Sequence, residues 1–186
     1  MNNTLIVMNI LYNPASYYDS SWLLRLTSTA NCRDRLPDNV INYLLINHYC
    51  STVFAPRTES ISSAGWLLLK NWHQLHEVAW LLGLKCTAAS LMQSPVFIQR
   101  LSPRQRSFFS SPLCLPSRMT LEATSQEQIL EYGAQILFSA ASQILAADYL
   151  LRLRFIFPKH FNCETQADER AFPLAFAAVQ QAMLYV

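Results

Sequence analysis

The tightest constraint on the fold lies between residues 125 and 151. Ser125 and Gln128 form an S-x-x-Q pattern directly ahead of an apolar run, the arrangement in which two side chains satisfy the orphan amides of a helix start reciprocally. As one helix the run to Leu151 would measure roughly 40 Å at 1.5 Å per residue, about the full width of a domain this size. Glu131, Gln135, Gln143 and Asp148 interrupt it, so a bilayer core would not accept it and other helices must cover it. Gly133, Ala134, Ala140, Ala141, Ala146 and Ala147 supply small residues that let a neighbouring helix come close. Core packing is the preferred reading of that stripe over a cofactor groove.

A second stretch carries the matching signal. Across residues 64 to 82, Leu68, Trp72, Leu75, Ala79 and Leu82 recur at alternating steps of four and three, on one face opposite Lys70, His73 and Glu77. Gly83 reads as its stop, and a further helix runs from 84 to 93, where Ser94-Pro95 breaks the chain. Shorter helices are expected elsewhere. Asn13 as N-cap with Pro14 at the first helical position opens one to about residue 26, with Trp22, Leu23 and Leu26 near one side. Pro37 and Asp38 open another that carries Val40, Ile41, Leu44 and Leu45. Ser102-Pro103-Arg104 looks like a cap followed by Pro, with Phe108-Phe109 as anchor, and the chain closes with a helix over 172 to 185.

Two segments read as extended. Residues 4 to 12 are short and rich in Ile, Val and Tyr, and residues 152 to 157 alternate before Pro158. They are candidates to pair as two short strands. The expected architecture is therefore mainly α, a compact multi-helix single domain over 1 to 186, with that strand pair as a candidate addition.

Composition narrows the function. Hydrophobic residues make up 52% and charged residues 14% of the 186 positions, against roughly 25% charged in an average soluble domain. Either the surface is buried against partners or Ser, Thr, Asn and Gln cover it, and both readings stay open. Three glycines are too few for a Gly-rich phosphate cradle, and a net charge of +2 is far from the balance of a nucleic-acid binder. The distribution says more than the sum. Arg100, Arg104, Arg106 and Arg118 stand without an acid between 94 and 118, whereas Glu122, Glu127, Glu131 and Asp148 stand without a base between 119 and 151. The cysteines, Cys32, Cys50, Cys86, Cys114 and Cys163, have no CxxC or metal-ligand spacing and read as reduced thiols of a cytosolic protein. The first residues lack a basic region and a small-residue cleavage site and do not read as a signal peptide.

No pattern asks for catalysis. His73-Gln74-Leu75-His76-Glu77 has the order HxxHE, which matches neither HExxH nor HxxEH. The preferred reading is a solvated i, i+4 pair of His73 and Glu77, with no metal, cofactor or catalytic residue assigned. No GxSxG elbow is present, and nothing local activates a cysteine. The residues singled out for binding are Arg100, Arg104 and Arg106, with Phe97, Phe108 and Phe109 interleaved. Arginine is enriched at protein interfaces, so a protein-facing role is preferred over phosphate or nucleic acid.

Several stretches together resemble a known family. They are the extended segment followed by Asn13-Pro14-Ala15-Ser16-Tyr17, the helix end Ala79-Trp80-Leu81-Leu82-Gly83-Leu84, the stretch Leu91-Met92-Gln93-Ser94-Pro95, and Gly133-Ala134 leading to Leu151-Arg152-Leu153-Arg154-Phe155-Ile156-Phe157-Pro158. In order and spacing the chain is similar to the SctK proteins of bacterial type III secretion systems, whose members include YscK, PscK, MxiK and OrgA. It departs at Tyr18, where some relatives place a different residue, and residues 112 to 118 match no pattern of the family. The resemblance implies a predominantly helical, non-enzymatic accessory protein of the cytoplasmic sorting platform beneath the inner-membrane ring. Its implied partners are the cytoplasmic domain of SctD and the platform protein SctQ, and through SctQ also SctL and the ATPase SctN. It carries over no contact residue. The competing readings are a type III secretion chaperone or export-apparatus partner, a metal-dependent hydrolase using His73, His76 and Glu77, and a nucleic-acid binder.

Overall fold

A computed structural model describes residues 2–24, 36–50, 61–113, 115, 125–163 and 172–186. The helices in chain order are α1 (Asn3–Tyr12), α2 (Asp38–Tyr49), α3 (Ser63–Lys70), α4 (Leu75–Cys86), α5 (Ala88–Leu91), α6 (Pro95–Arg100), α7 (Pro103–Phe109), α8 (Gln126–Ser142), α9 (Ala147–Arg154) and α10 (Phe172–Ala182). The protein is mainly α, and no strand occurs among the described residues. Contacts divide the chain into two compact units, Met1–His73 with Ile144–Phe161 and Gln74–Gln143 with Asn162–Val186.

In the first unit the expected strand pair is replaced by a helix on one side and by a helix end with turns on the other. α1 buries Ile6, Val7, Ile10 and Leu11, a helical i, i+1, i+4, i+5 stripe that a strand, with its period of two, would split across both faces. Burial of each such side chain contributes about 1.5–3 kcal/mol, which outweighs a β-propensity spread of about 1 kcal/mol. Asn2 caps the start by accepting from the Thr4 amide at 3.1 Å. The other segment is the end of α9 and the turns after it. Strand alternation would put Arg152 and Arg154 on one side, but Arg152 is buried and Arg154 exposed.

The helix expected from Asn13 is two 3-10 turns, Pro14–Ser16 and Ser20–Trp22. Asn13 does not cap them. Its carboxamide oxygen accepts from Asn42 Nδ2 at 2.9 Å instead, and Asn42 Oδ1 accepts from the Ala15 amide at 2.7 Å, so the side chain that would start a helix ties the turn to α2. Asp19 caps the second turn through the Ser21 amide at 2.9 Å. Leu26 lies outside the described residues. The core here gathers Tyr18, Trp22, Leu23, Ile41, Leu45, Cys50 and Phe155. The buried indole of Trp22 donates to the Phe157 oxygen at 2.8 Å, which satisfies its one polar atom.

The second unit is organised by α4 against α8. Ile129, Gly133, Ala134, Leu137, Phe138, Ala140 and Ala141 are buried along α8, and Leu75, Ala79 and Leu82 along α4. Gly83 does not stop its helix. It lies inside α4, where a Cβ would stand 1.8 Å from the main-chain oxygen of Ile129, while a Cβ on Gly133 would stand 1.7 Å from that of Ala79. Each helix thus sets a glycine against the partner's backbone, one turn from the carbonyl it offers in return. Glycine costs a helix interior about 1 kcal/mol relative to alanine, and here the loss is offset by close main-chain packing that any side chain would prevent. α10 packs on both helices through Ala175, Ala178, Val179 and Ala182.

Both long helices are shorter than the sequence implied. The stretch over 64 to 82 breaks after Lys70, where Asn71 ends α3 and donates to the Leu67 oxygen at 2.8 Å. Even so, Leu68, Trp72, Leu75, Ala79 and Leu82 are all buried. The run from Ser125 ends at Ser142, whose hydroxyl bonds back to the Ser139 oxygen at 3.0 Å, and α9 starts afresh after the extended Ala146. Such back-bonding competes with the helical ladder. The capping boxes are present at both starts, Ser125 with Gln128 and Ser102 with Gln105. The helix placed over 84 to 93 is the end of α4 and the single turn α5, and the closing helix ends at Ala182.

Candidate functional site

The arm formed by α6 and α7 is where the sequence placed its binding residues. Leu91 and Leu101 are buried at the two ends of α6, and α6 itself puts no residue in the core. α7 is held from below by Phe108 and Phe109, both buried, and the Phe108 ring meets Tyr185 edge-on at 5.3 Å. The Lys85 ammonium donates to the main-chain oxygen of Phe109 at 2.7 Å and to that of Ser111. A cation on carbonyls at the end of α7 neutralises oxygens with no intrahelical partner and complements the helix dipole. Sequence reading missed Lys85. Its only signal was a lone base in the last turn of an otherwise apolar helix end.

Arg100, Arg104 and Arg106 are all exposed on this arm. They do not form one flat patch. At about 100° per residue, side chains two positions apart on α7 leave the axis about 200° apart, so Arg104 and Arg106 stand on opposite flanks of the helix. Arg100 is on α6 and shares a face with Val96, four residues before it. Met92, at the end of α5, and Val96 are exposed by 68% and 62%. Neither stood out as a binding residue in the sequence, because single exposed apolar residues outside any periodic stripe give no pattern. Arg118 lies outside the described residues.

The other candidates lie on different elements. His73 belongs to the 3-10 turn Trp72–Gln74, whereas His76 and Glu77 belong to α4. The i, i+4 spacing of His73 and Glu77 therefore does not place them on one helix, since the chain changes pitch between them. Among the described residues no group of three or more His, Cys, Asp or Glu is arranged to hold a metal ion. Cys50 and Cys86 are buried and Cys163 is half-buried, while Cys32 and Cys114 lie outside the described residues. No described helix is long and apolar enough to cross a membrane.

One polar cluster was invisible in the sequence. Arg152 is buried, its Nε donates to the Leu11 oxygen at 3.0 Å, and its Nη1 donates to the Cys50 sulfur. Tyr17 donates its hydroxyl to the neighbouring Ile10 oxygen at 2.5 Å. Burial drives the Tyr17 phenol far above its ordinary value, against the opposing pull of Arg152. Burial likewise raises the Cys50 thiol, again with Arg152 opposing. Both stay protonated at neutral pH, so the cluster is a cation capping a helix end among neutral acceptors. That is structural chemistry. A thiol pushed upward is a poor nucleophile.

Residues 7–185 match the family of bacterial type III secretion apparatus proteins described as OrgA_MxiK. The chain belongs to that family. The resemblance to SctK proteins is therefore borne out over nearly the whole length. No curated protein and no solved structure matches the chain. As an OrgA/MxiK protein it is a type III secretion apparatus protein.

Proposed function

We propose that this OrgA/MxiK protein is a non-enzymatic adaptor of the cytoplasmic sorting platform. It sits at the cytoplasmic face of the bacterial inner membrane and links the ring protein SctD to the platform protein SctQ, and through SctQ reaches SctL and the ATPase SctN. Residues 1 to 186 serve as one adaptor domain, with no cofactor, metal or small-molecule substrate.

The observation that carries the reading, beside the family match, is the α6–α7 arm. It is fixed to the second unit by Leu91, Leu101, Phe108 and Phe109, yet offers Arg100, Arg104 and Arg106 to solvent. A rigid arm with exposed arginines suits docking, because its side chains meet a partner without first ordering the backbone.

Co-purification tests it. The full chain is expected to bring down the SctD cytoplasmic domain and SctQ, and combined charge reversal at Arg100, Arg104 and Arg106 to weaken capture of at least one of them while the helical circular-dichroism spectrum stays unchanged. Capture of a secreted effector in place of SctD and SctQ identifies a chaperone instead. Undiminished capture of both partners by the charge-reversed chain removes the arm from the interface.

A further inference from the structure

α6 poses a physical question: it is a six-residue surface helix with no fully buried residue. Between the anchors Leu91 and Leu101 the chain rises into a hump with Met92, Pro95 and Val96 exposed on it and Phe97 and Ile98 half-buried beneath. Two large apolar side chains exposed by 62% or more within five residues gain little from the fold. A docked partner would recover that burial.

We infer that this hump is the apolar centre of a docking surface for an acidic protein segment. The segment carries an apolar side chain that seats on Met92 and Val96, and carboxylates that reach Arg100 and one of the two arginines on α7. The inference rests on the adaptor reading and deepens it by naming the partner's chemistry. Val96 and Arg100 share one face of α6, so one segment meets both. Between residues 94 and 118 the sequence holds no acid, so α6 and α7 themselves carry no charge that repels a carboxylate. Methionine adapts its shape to an incoming side chain. Arginine binds carboxylates through two parallel hydrogen bonds.

An anionic membrane would also attract arginines, and the geometry argues against it. Arg104 and Arg106 leave α7 on opposite flanks, so no plane faces all three cations. About 1 kcal/mol per basic residue near an anionic surface, with two modest apolar side chains, falls short of the two signals that stable anchoring takes. The acid-bearing helix α8 of a second copy is a poor complement as well. On the described part of its acidic helix Glu127 is exposed, but Glu131 is engaged with the Asn162 amide at 3.0 Å.

The test uses the full chain with the SctD cytoplasmic domain and with SctQ. Met92→Ser with Val96→Ser is expected to lower affinity for one of the two by roughly tenfold or more, with Arg100→Glu acting on the same partner. Val96→Ile should bind as wild type, and all variants should keep the wild-type circular-dichroism spectrum. A photo-crosslinking residue at position 96 should capture a peptide of that partner containing Asp or Glu beside an apolar residue. Wild-type binding that survives the double serine variant overturns this inference and leaves the adaptor reading standing. Failure of the wild type to bind either partner sinks both. Two other results overturn the inference alone: phosphatidylglycerol vesicles that bind the wild type and lose the serine variant, or a self-association in analytical ultracentrifugation that the serine variant abolishes.

Discussion

Arg152 Nε donates to the main-chain oxygen of Leu11 at 3.0 Å, a bond between residues 141 positions apart. α1 has no basic residue in its own last turn, and its C-terminal carbonyls are met instead by Arg152 and by Tyr17 on Ile10. A cation at a helix C-terminus is favoured by the macrodipole, and burial makes the loss of this one costly. Arg152→Met, close in length and without donors, is expected to destabilise the chain by about 1–3 kcal/mol. The urea midpoint measures this, and amide exchange in α1 should accelerate more than in α8. Equal acceleration in both helices would show that Arg152 does not act through α1.

The two glycines of the α4–α8 crossing should tolerate nothing. Gly83→Ala or Gly133→Ala drives a Cβ onto a main-chain oxygen of the facing helix, at 1.8 and 1.7 Å. Backbone cannot rotate aside, so each is expected to cost about 3 kcal/mol or more despite alanine's better helix propensity. Gly65 is the control. Its Cβ would meet side chains and no main chain, the Ile61 Cγ2 methyl at 2.9 Å with Ser62 Oγ and Ile144 Cγ2 at 3.5 and 3.6 Å, and Gly65→Ala should fall within about 1 kcal/mol of wild type. Thermal melts of the three variants decide it.

Alkaline pH should weaken the fold through groups that the native state keeps protonated. Cys50 is raised from 9.0 and Tyr149 from 10.0, and Tyr17 lies further up, all chiefly by burial. Above pH 9 the unfolded chain releases these protons first, so the free energy of unfolding falls as pH rises. Stability should therefore be insensitive to these groups near neutrality and decline from about pH 9 upward. Cys50→Ser should make the first part of that decline shallower in denaturation curves taken at stepped pH. An unchanged slope would show that the thiol titrates normally.

The capping boxes differ in what depends on them. Ser125→Ala removes the acceptor of the Gln128 amide, 3.1 Å away, and Ser102→Ala that of the Gln105 amide, 3.2 Å away. Each should cost about 1 kcal/mol of helix stability. Ser125→Ala should lower the global melting temperature, because α8 is central to its unit. Ser102→Ala should act mostly on local exchange in α7. A larger global effect from Ser102→Ala would reverse the roles given to the two helices.

Single charge reversals at Arg104 and Arg106 should be unequal. The two side chains leave α7 about 200° apart, so a partner seated on one flank touches one of them. Binding of SctD or SctQ to Arg104→Glu and Arg106→Glu, compared singly, is expected to fall for one and hold within about twofold for the other. Equal losses would mean that the partner wraps the arm.

Local chemistry was legible in the sequence. Ser125 with Gln128 and Ser102 with Pro103 fixed where helices begin, since a cap is a contact between neighbours in the chain. The face Leu68, Trp72, Leu75, Ala79 and Leu82 was also readable, because burial follows periodicity even where the helix beneath it breaks. The exposed arginines of the arm followed from charge alone. Family membership was carried by the order of such stretches.

What only the tertiary structure decided concerns atoms far apart in the chain. Residues 4 to 12 are helical because Ile6, Val7, Ile10 and Leu11 bury one face together while Arg152 and Tyr17 reach the last carbonyls, and a nine-residue window contains neither of those partners. Gly83 read as a stop because glycine usually ends helices, whereas here Ile129 occupies the space a side chain would need. Arg152 itself read as one cation of an alternating pair. Its burial against Leu11 and Cys50 follows from the packing of α1 beside α9, which no local pattern encodes.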